Sequence, residues 1–163
     1  HQTKNLILTI ELNHKEKLKI GKNLDWTFGN KKNMNEQTTI ELLNEKFKTN
    51  LILSENQFCD YDAEDKNYIV EVKNRKEFYT DKLIECVKLF KNYQNSQIKN
   101  KDFLYIVTDE KGVYVFNISK NINEITSGKM YKTLQPETTE FNSTKEINKF
   151  VYFLDIKLSK QIK

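Results

Sequence analysis

The stretch CDYDAEDKNYIVEVKNRK, residues 59–76, decides how the chain is read. Its second half alternates as a β-strand does: Tyr68, Val70 and Val72 fall on one side, and Ile69, Glu71 and Lys73 on the other. Glu71 and Lys73 are then neighbours on one face, ~6–7 Å apart along the strand. The valine-rich side can be buried under a helix while the charged side looks into a cleft. Residues 58–62 predict an antiparallel partner closed at Asp65-Lys66, which sets Asp60 opposite Glu71, Asp62 opposite Ile69 and Phe58 opposite Lys73. Cross-strand partners have Cβ atoms ~4.5–5.5 Å apart, a separation at which two carboxylates can share one divalent cation. A slip of one residue would set Asp60 against Val72 and turn the whole set to the wrong face. Asp62 is a rival to Asp60, since both face the same way in this register.

Working outward, the pattern before the hairpin changes period. In residues 35–50, Ile40, Leu43 and Phe47 recur at helical spacing, and Asn35 can cap the first turn. Glu36 lies four residues before Ile40 and so shares the apolar face near the N-terminal end, where a carboxylate is costly unless it has a partner. A first-turn acid favoured by the helix dipole is the plainer account of the same residue. After the hairpin, residues 80–94 read as a second helix through Leu83, Val87 and Phe90, with Thr80 as N-cap. Residues 103–118 form a hairpin around Asp109-Glu110-Lys111-Gly112, and 149–156 a final strand. Residues 126–144 read as a long surface segment. At the other end, 5–12 alternate as a strand through Leu6, Leu8, Ile10 and Leu12, followed by a polar loop carrying His14, an exposed histidine without a metal partner. The order predicts one α/β domain over 1–163, a mixed β-sheet with helices against it.

Composition limits the functional classes. The 163 residues suffice for one domain with a hydrophobic core. With 12% aromatic residues and recurrent Ile, Leu and Val, the chain is expected to fold despite 31% charged residues. No run approaches the ~18 apolar residues of a membrane span. Cys59 and Cys86 stand apart, without CxxC or a Cys/His cluster, which points away from zinc and toward a reducing compartment. A soluble intracellular protein is expected, in the cytoplasm or, in a eukaryotic or viral setting, the nucleus. The net charge of +4 is a mild basic bias compatible with a polyanionic partner. Among 27 basic residues the single arginine is Arg75, two positions after Lys73, where a planar guanidinium fork suits a phosphate.

Two facing carboxylates repel if left bare, and a hard cation with oxygen ligands relieves them. Mg²⁺ commonly takes one or two carboxylates plus waters and phosphate oxygens. A metal lowers the pKa of its bound water, and a nearby Lys73 can orient or deprotonate that water and offset charge in the transition state. Glu36, entering from the first helix, could complete such a site as a ligand or through a water. Glu-x-Lys is also common on solvated strands as a weak ion pair of ~0–1 kcal/mol. The aspartate across the hairpin and the helices before and after it are what weigh against that account.

Asp60…Glu71-Val72-Lys73 resembles the PD-(D/E)XK (restriction-endonuclease-like) nuclease superfamily, and VEVKNRKEFYTDKLIECVKLF is similar to its phage and large-DNA-virus members. The resemblance covers roughly residues 35–118. It implies an αβββαβ core, a catalytic set of Glu36, Asp60, Glu71 and Lys73, and Mg²⁺ or Mn²⁺ held by Asp60 and Glu71. Cys59 stands where the family's motif has proline. The implied activity is phosphodiester hydrolysis, with DNA as the first substrate and no membrane partner; a homodimer could cleave both strands.

Holding a phosphodiester backbone requires cations and N–H groups near the scissile phosphate. Arg75, Tyr79 and Lys82 are the expected nucleic-acid contacts, Lys82 in the first turn of the second helix. Lys129, Lys132, Lys145 and Lys149 bracket a candidate flap, and Trp26 with Phe28 could stack on a base. Two other accounts remain: an inactive nucleic-acid-binding or assembly protein on the same fold, and a polar interaction domain in which Glu-x-Lys is coincidental.

Overall fold

The computed structural model describes residues 34–56, 58–137 and 145–162. The strand expected at 5–12, His14, Trp26 and Phe28 lie outside the described residues. In chain order the elements are α1 (Glu36–Phe47), β1 (Ile52–Leu53), β2 (Ala63–Glu64), β3 (Tyr68–Asn74), β4 (Asp81–Glu85), α2 (Cys86–Lys99), β5 (Asp102–Asp109), β6 (Gly112–Asn117), α3 (Ile118–Ser127), β7 (Tyr131–Pro136) and β8 (Glu146–Asp155), with a 3₁₀ turn at Ile156–Leu158 before β9 (Ser159–Ile162). They build a mixed α/β fold. Six strands form one sheet in the order β1-β2-β3-β5-β6-β9, in which β3 and β5 run parallel; β4-β8-β7 form a second, antiparallel sheet.

α1 begins where the sequence predicts. The Asn35 carboxamide accepts the Thr38 amide at 2.9 Å while the Thr38 hydroxyl accepts the Asn35 amide at 3.0 Å, so two otherwise unpaired helix-end donors are satisfied. Ile40, Leu42 and Leu43 then pack on Val70 and Val72 of β3 and Ile106 of β5. The opposite face of the sheet, through Ile69, Phe103, Tyr105 and Phe116, meets Leu89 of α2, Ile118 and Ile125 of α3, and Tyr152 and Leu154 of β8. Burial of each such Leu, Ile or Phe contributes about 1.5–3 kcal/mol. The valine side of β3 is therefore under a helix, as its alternation predicts, and the Glu71 side faces the space between the two sheets.

Several elements differ from the sequence reading. Residues 81–85 extend as β4 instead of opening the second helix, because they pair with β8 as Lys82↔Leu154, Leu83↔Phe153 and Ile84↔Tyr152. α2 starts at Cys86 and buries Cys86, Leu89, Asn92 and Ser96, while Val87 is 74% exposed. The buried stripe carries two polar residues, so hydrophobic spacing points to the wrong face. The expected surface segment at 126–144 contains β7 and the end of α3, a helix capped by the Asn117 side chain on the Lys120 amide at 3.0 Å. The hairpin at 103–118 is present as β5–β6, and the last strand is longer than expected, β8 followed by β9 on the β6 edge. Among the described residues no helix is long and apolar enough to cross a membrane.

Candidate functional site

The turn between β2 and β3 sets which acid meets Glu71. Asp65 accepts the amides of Asn67 and Tyr68 on one carboxylate oxygen, at 2.7 and 2.8 Å, and its own amide bonds to the Tyr68 carbonyl at 3.0 Å. Such an Asx turn centres the reversal on Lys66-Asn67, one residue later than Asp65-Lys66. Moving the centre by one residue shifts the register by two: the pairs are Ala63↔Val70 and Glu64↔Ile69. The ladder ends there: the Asp62 amide bonds to the Val70 carbonyl at 2.9 Å, and the Asp62 carboxylate lines the same cleft as Glu71. It is therefore Asp62, and not Asp60, that shares a cleft with Glu71.

Asp60, expected opposite Glu71, instead lies against α2. Its carboxylate pairs with Lys91 at 2.5 Å and accepts from Asn95 at 3.2 Å. The Lys91 hydrogen bond, ahead of other causes, holds the Asp60 carboxyl below its ordinary pKa. Asp62 is half-buried, its Oδ2 accepting the Val72 amide at 2.6 Å. Because β2 is two residues long, that amide has no neighbouring strand to receive it, and the carboxylate does so instead.

Glu36, Asp62, Glu71 and Lys73 all line one cleft of about 830 Å³, together with Arg75 and Lys88. Its far wall is the β7–β8 arm, where Lys149 pairs with Glu85 at 3.2 Å. Tyr105, beside Glu71 in the parallel register, donates its hydroxyl to the Leu83 carbonyl at 2.8 Å and ties the two sheets together at the cleft. Glu36 is exposed at the rim and not on the buried face of α1. No family model, curated protein or solved structure matches the chain. What the cleft can do follows from its own chemistry.

Glu71 is 8% exposed, and its pKa is pushed up to about 7, first by burial and then by the Asp62 carboxylate. Burial likewise raises Asp62, against the opposing Val72 amide. At Glu36 burial and then Asp62 raise the carboxyl. Lys73 moves the other way: burial, followed by the nearby Arg75 charge, lowers its pKa, so the amine gives up its proton more readily than a free lysine. Burial and like-charged neighbours thus move the cleft acids toward the neutral form and its lysine toward the free amine, shifts of the kind that acid–base sites use. Among the described residues no three His, Cys, Asp or Glu side chains gather into a metal cage. Asp62 and Glu71 are the pair able to hold a cation that brings its own waters and phosphate oxygens.

The raised acids have a thermodynamic consequence. Between about 4.5, the ordinary value for Glu71, and about 7, its value in the fold, the folded chain holds a proton that the unfolded chain has released. Stability of the metal-free protein therefore falls as pH rises through that window. Glu64 acts in the opposite sense, but with its carboxyl lowered to about 2 by Lys101 its contribution is lost only below the window. Urea midpoints measured from pH 5 to 7.5 should decline, and Glu71→Gln should flatten the slope; an unchanged slope would assign the titration elsewhere.

Of the expected nucleic-acid contacts, Arg75 reaches the cleft. Tyr79 is exposed beyond the cleft lining, its hydroxyl donating to Glu77 at 3.1 Å. Lys82 is in β4 and not at a helix N-terminus; strand alternation turns it inward, where it is 3% exposed and bonded to Asp109 at 2.5 Å and to the Tyr79 carbonyl at 2.6 Å. It cannot hold a phosphate while it closes that pair. Two residues that the sequence analysis does not single out contact Glu71 from α2: Lys88, at 3.2 Å, and Asn92, at 3.3 Å. Their spacing of one helical turn was visible; the face of α2 was not.

Proposed function

We propose that the chain is a metal-dependent nuclease of the PD-(D/E)XK type that hydrolyses phosphodiester bonds, with DNA as first substrate. One observation carries this reading: Asp62 and Glu71 stand on adjoining segments of a hairpin with Lys73 beside them in a single cleft. The element order α1, β1-β2-β3, α2, β5, with β3 parallel to β5, supports an αβββαβ core in which β4 is an interposed strand of the second sheet.

Asp62 and Glu71 would hold the ion, Mg²⁺ or Mn²⁺, with Glu36 at the rim of the same cleft. Bound there, the ion would acidify a water and neutralise charge on the phosphoryl oxygens. Lys73 accepts the proton of the attacking water, a task suited to an amine whose pKa is depressed. Arg75 presents a planar fork to the neighbouring phosphate. Hydrolysis then forms one P–O bond to water and breaks one to the leaving strand.

Linear, circular and branched DNA, and RNA, incubated with the protein and Mn²⁺ test the reading. Cleavage that chelation stops is expected, and Asp60→Ala should keep its rate within about threefold, since its carboxylate lies outside the cleft lining in a partly exposed ion pair worth ~0–1 kcal/mol. Binding without cleavage of any substrate would instead favour an inactive nucleic-acid-binding protein. Absence of both would remove the nuclease reading altogether.

A further inference from the structure

Lys88 is the cation that the cleft acids already have. Its ammonium lies 3.2 Å from one Glu71 oxygen and 3.3 Å from the other, and donates to the Asp60 carbonyl at 3.0 Å. Together with Lys73 it also stabilises the charged forms of Asp62 and Glu36, so its amine acts on three carboxylates from three parts of the chain. One turn further along α2, Asn92 donates to Glu71 Oε2 at 3.3 Å, while its own Oδ1 is buried with no hydrogen-bond partner among the described residues. That arrangement fixes Glu71 in place and leaves an unmet acceptor beside it.

A second positive charge cannot enter this group without cost. A divalent ion drawing on Glu71 meets an ammonium already straddling both of its oxygens, and two cations at that range repel. The lysine can yield. Its side chain is 42% exposed and its four-carbon stem is flexible, whereas Glu71 is held by the strand and by Asn92.

We propose that Lys88 is a resident counter-cation that occupies the charge position of the metal in the metal-free protein and must swing away from Glu71 for a divalent ion to bind. The inference rests on the nuclease reading of the cleft. It makes Lys88 a positioning residue that sets how tightly the ion is held: it keeps Glu71 and Asp62 together in the empty state and lowers metal affinity in return. Apparent affinity in a two-state site is reduced by the fraction of molecules in the competent state, which here is the fraction with Lys88 turned away.

Calorimetric titration with MnCl₂, without nucleic acid, tests this on the whole chain. Lys88→Met is expected to bind Mn²⁺ about tenfold more tightly than wild type, since ~1.4 kcal/mol of relieved competition is a factor of ten. Mn²⁺ should also raise the melting temperature of Lys88→Met more than that of wild type, a readout independent of cleavage. Lys88→Gln, which keeps a polar donor, serves if the methionine variant does not fold. Lys91→Met removes an equal charge from the same helix outside the cleft and should leave affinity unchanged. Equal or weaker Mn²⁺ binding by both Lys88 variants, or the same gain in Lys91→Met, overturns the inference and leaves the nuclease reading standing. Absence of Mn²⁺ binding in wild type and every variant overturns the metal-dependent reading and the inference with it.

Discussion

Replacing Lys73 by methionine should slow cleavage by about 10²–10⁴-fold, the range supplied by a positioned acid–base group, while nucleic-acid affinity stays within a few-fold. The amine is aimed into the cleft from the same strand face as Glu71, and burial together with Arg75 lowers its pKa. Methionine keeps the stem and its packing but cannot take a proton. Single-turnover rates in Mn²⁺, set beside gel-shift affinities in chelator, separate the two effects. The wild-type rate should climb with pH as the amine deprotonates, and the variant should lose that limb. Lys73→Arg should not restore it, because a guanidinium stays charged throughout the accessible range. Wild-type turnover in Lys73→Met would remove this residue from the chemistry.

The second large effect is on stability. Asp109→Ala should cost about 3–5 kcal/mol, because it leaves the Lys82 ammonium buried without its counter-charge. Both side chains are almost wholly excluded from water, 3% for Lys82 and 0% for Asp109. The amine is further enclosed by the rings of Phe78 and Tyr114, at 4.4 and 4.2 Å, and by the Tyr79 carbonyl. The pair joins β4 of the smaller sheet to the end of β5 in the larger one. Replacing both partners by apolar residues, Lys82→Met with Asp109→Leu, should recover most of the loss, since no charge then remains to be desolvated. Urea unfolding of the single and double variants measures this directly. A cost below about 1 kcal/mol for Asp109→Ala would mean that water reaches the lysine, as for a surface pair.

What the sequence revealed and what it hid divide along local and distant determinants. α1 was legible because Asn35, Thr38, Ile40 and Leu43 lie within two turns and specify its start and buried face. The β5–β6 hairpin was legible from Gly112, whose φ of +147° falls where other residues are strained and whose added Cβ would come within 2.7 Å of the Ile162 carbonyl. The shared face of Glu71 and Lys73 followed from strand period alone. β4 was hidden because its partner strand, β8, begins some sixty residues later, and five residues ahead of a helix look like its first turn. Lys88 was hidden for a related reason: α2 buries Asn92 and Ser96, so its inward face is not its most apolar one. That Asp62 and not Asp60 reaches the cleft was hidden in the turn, where Asp65 captures two amides and sets its length.

The contact between Asp62 and the Val72 amide limits which ions the proposed centre would prefer. One oxygen of Asp62 already accepts the Val72 amide, which would favour an incoming ion at the other oxygen. Calcium, which fills six to eight coordination places and often grips carboxylates through both oxygens, is poorly matched to such a donor. A small ion that keeps much of its hydration shell would be better matched to such a donor.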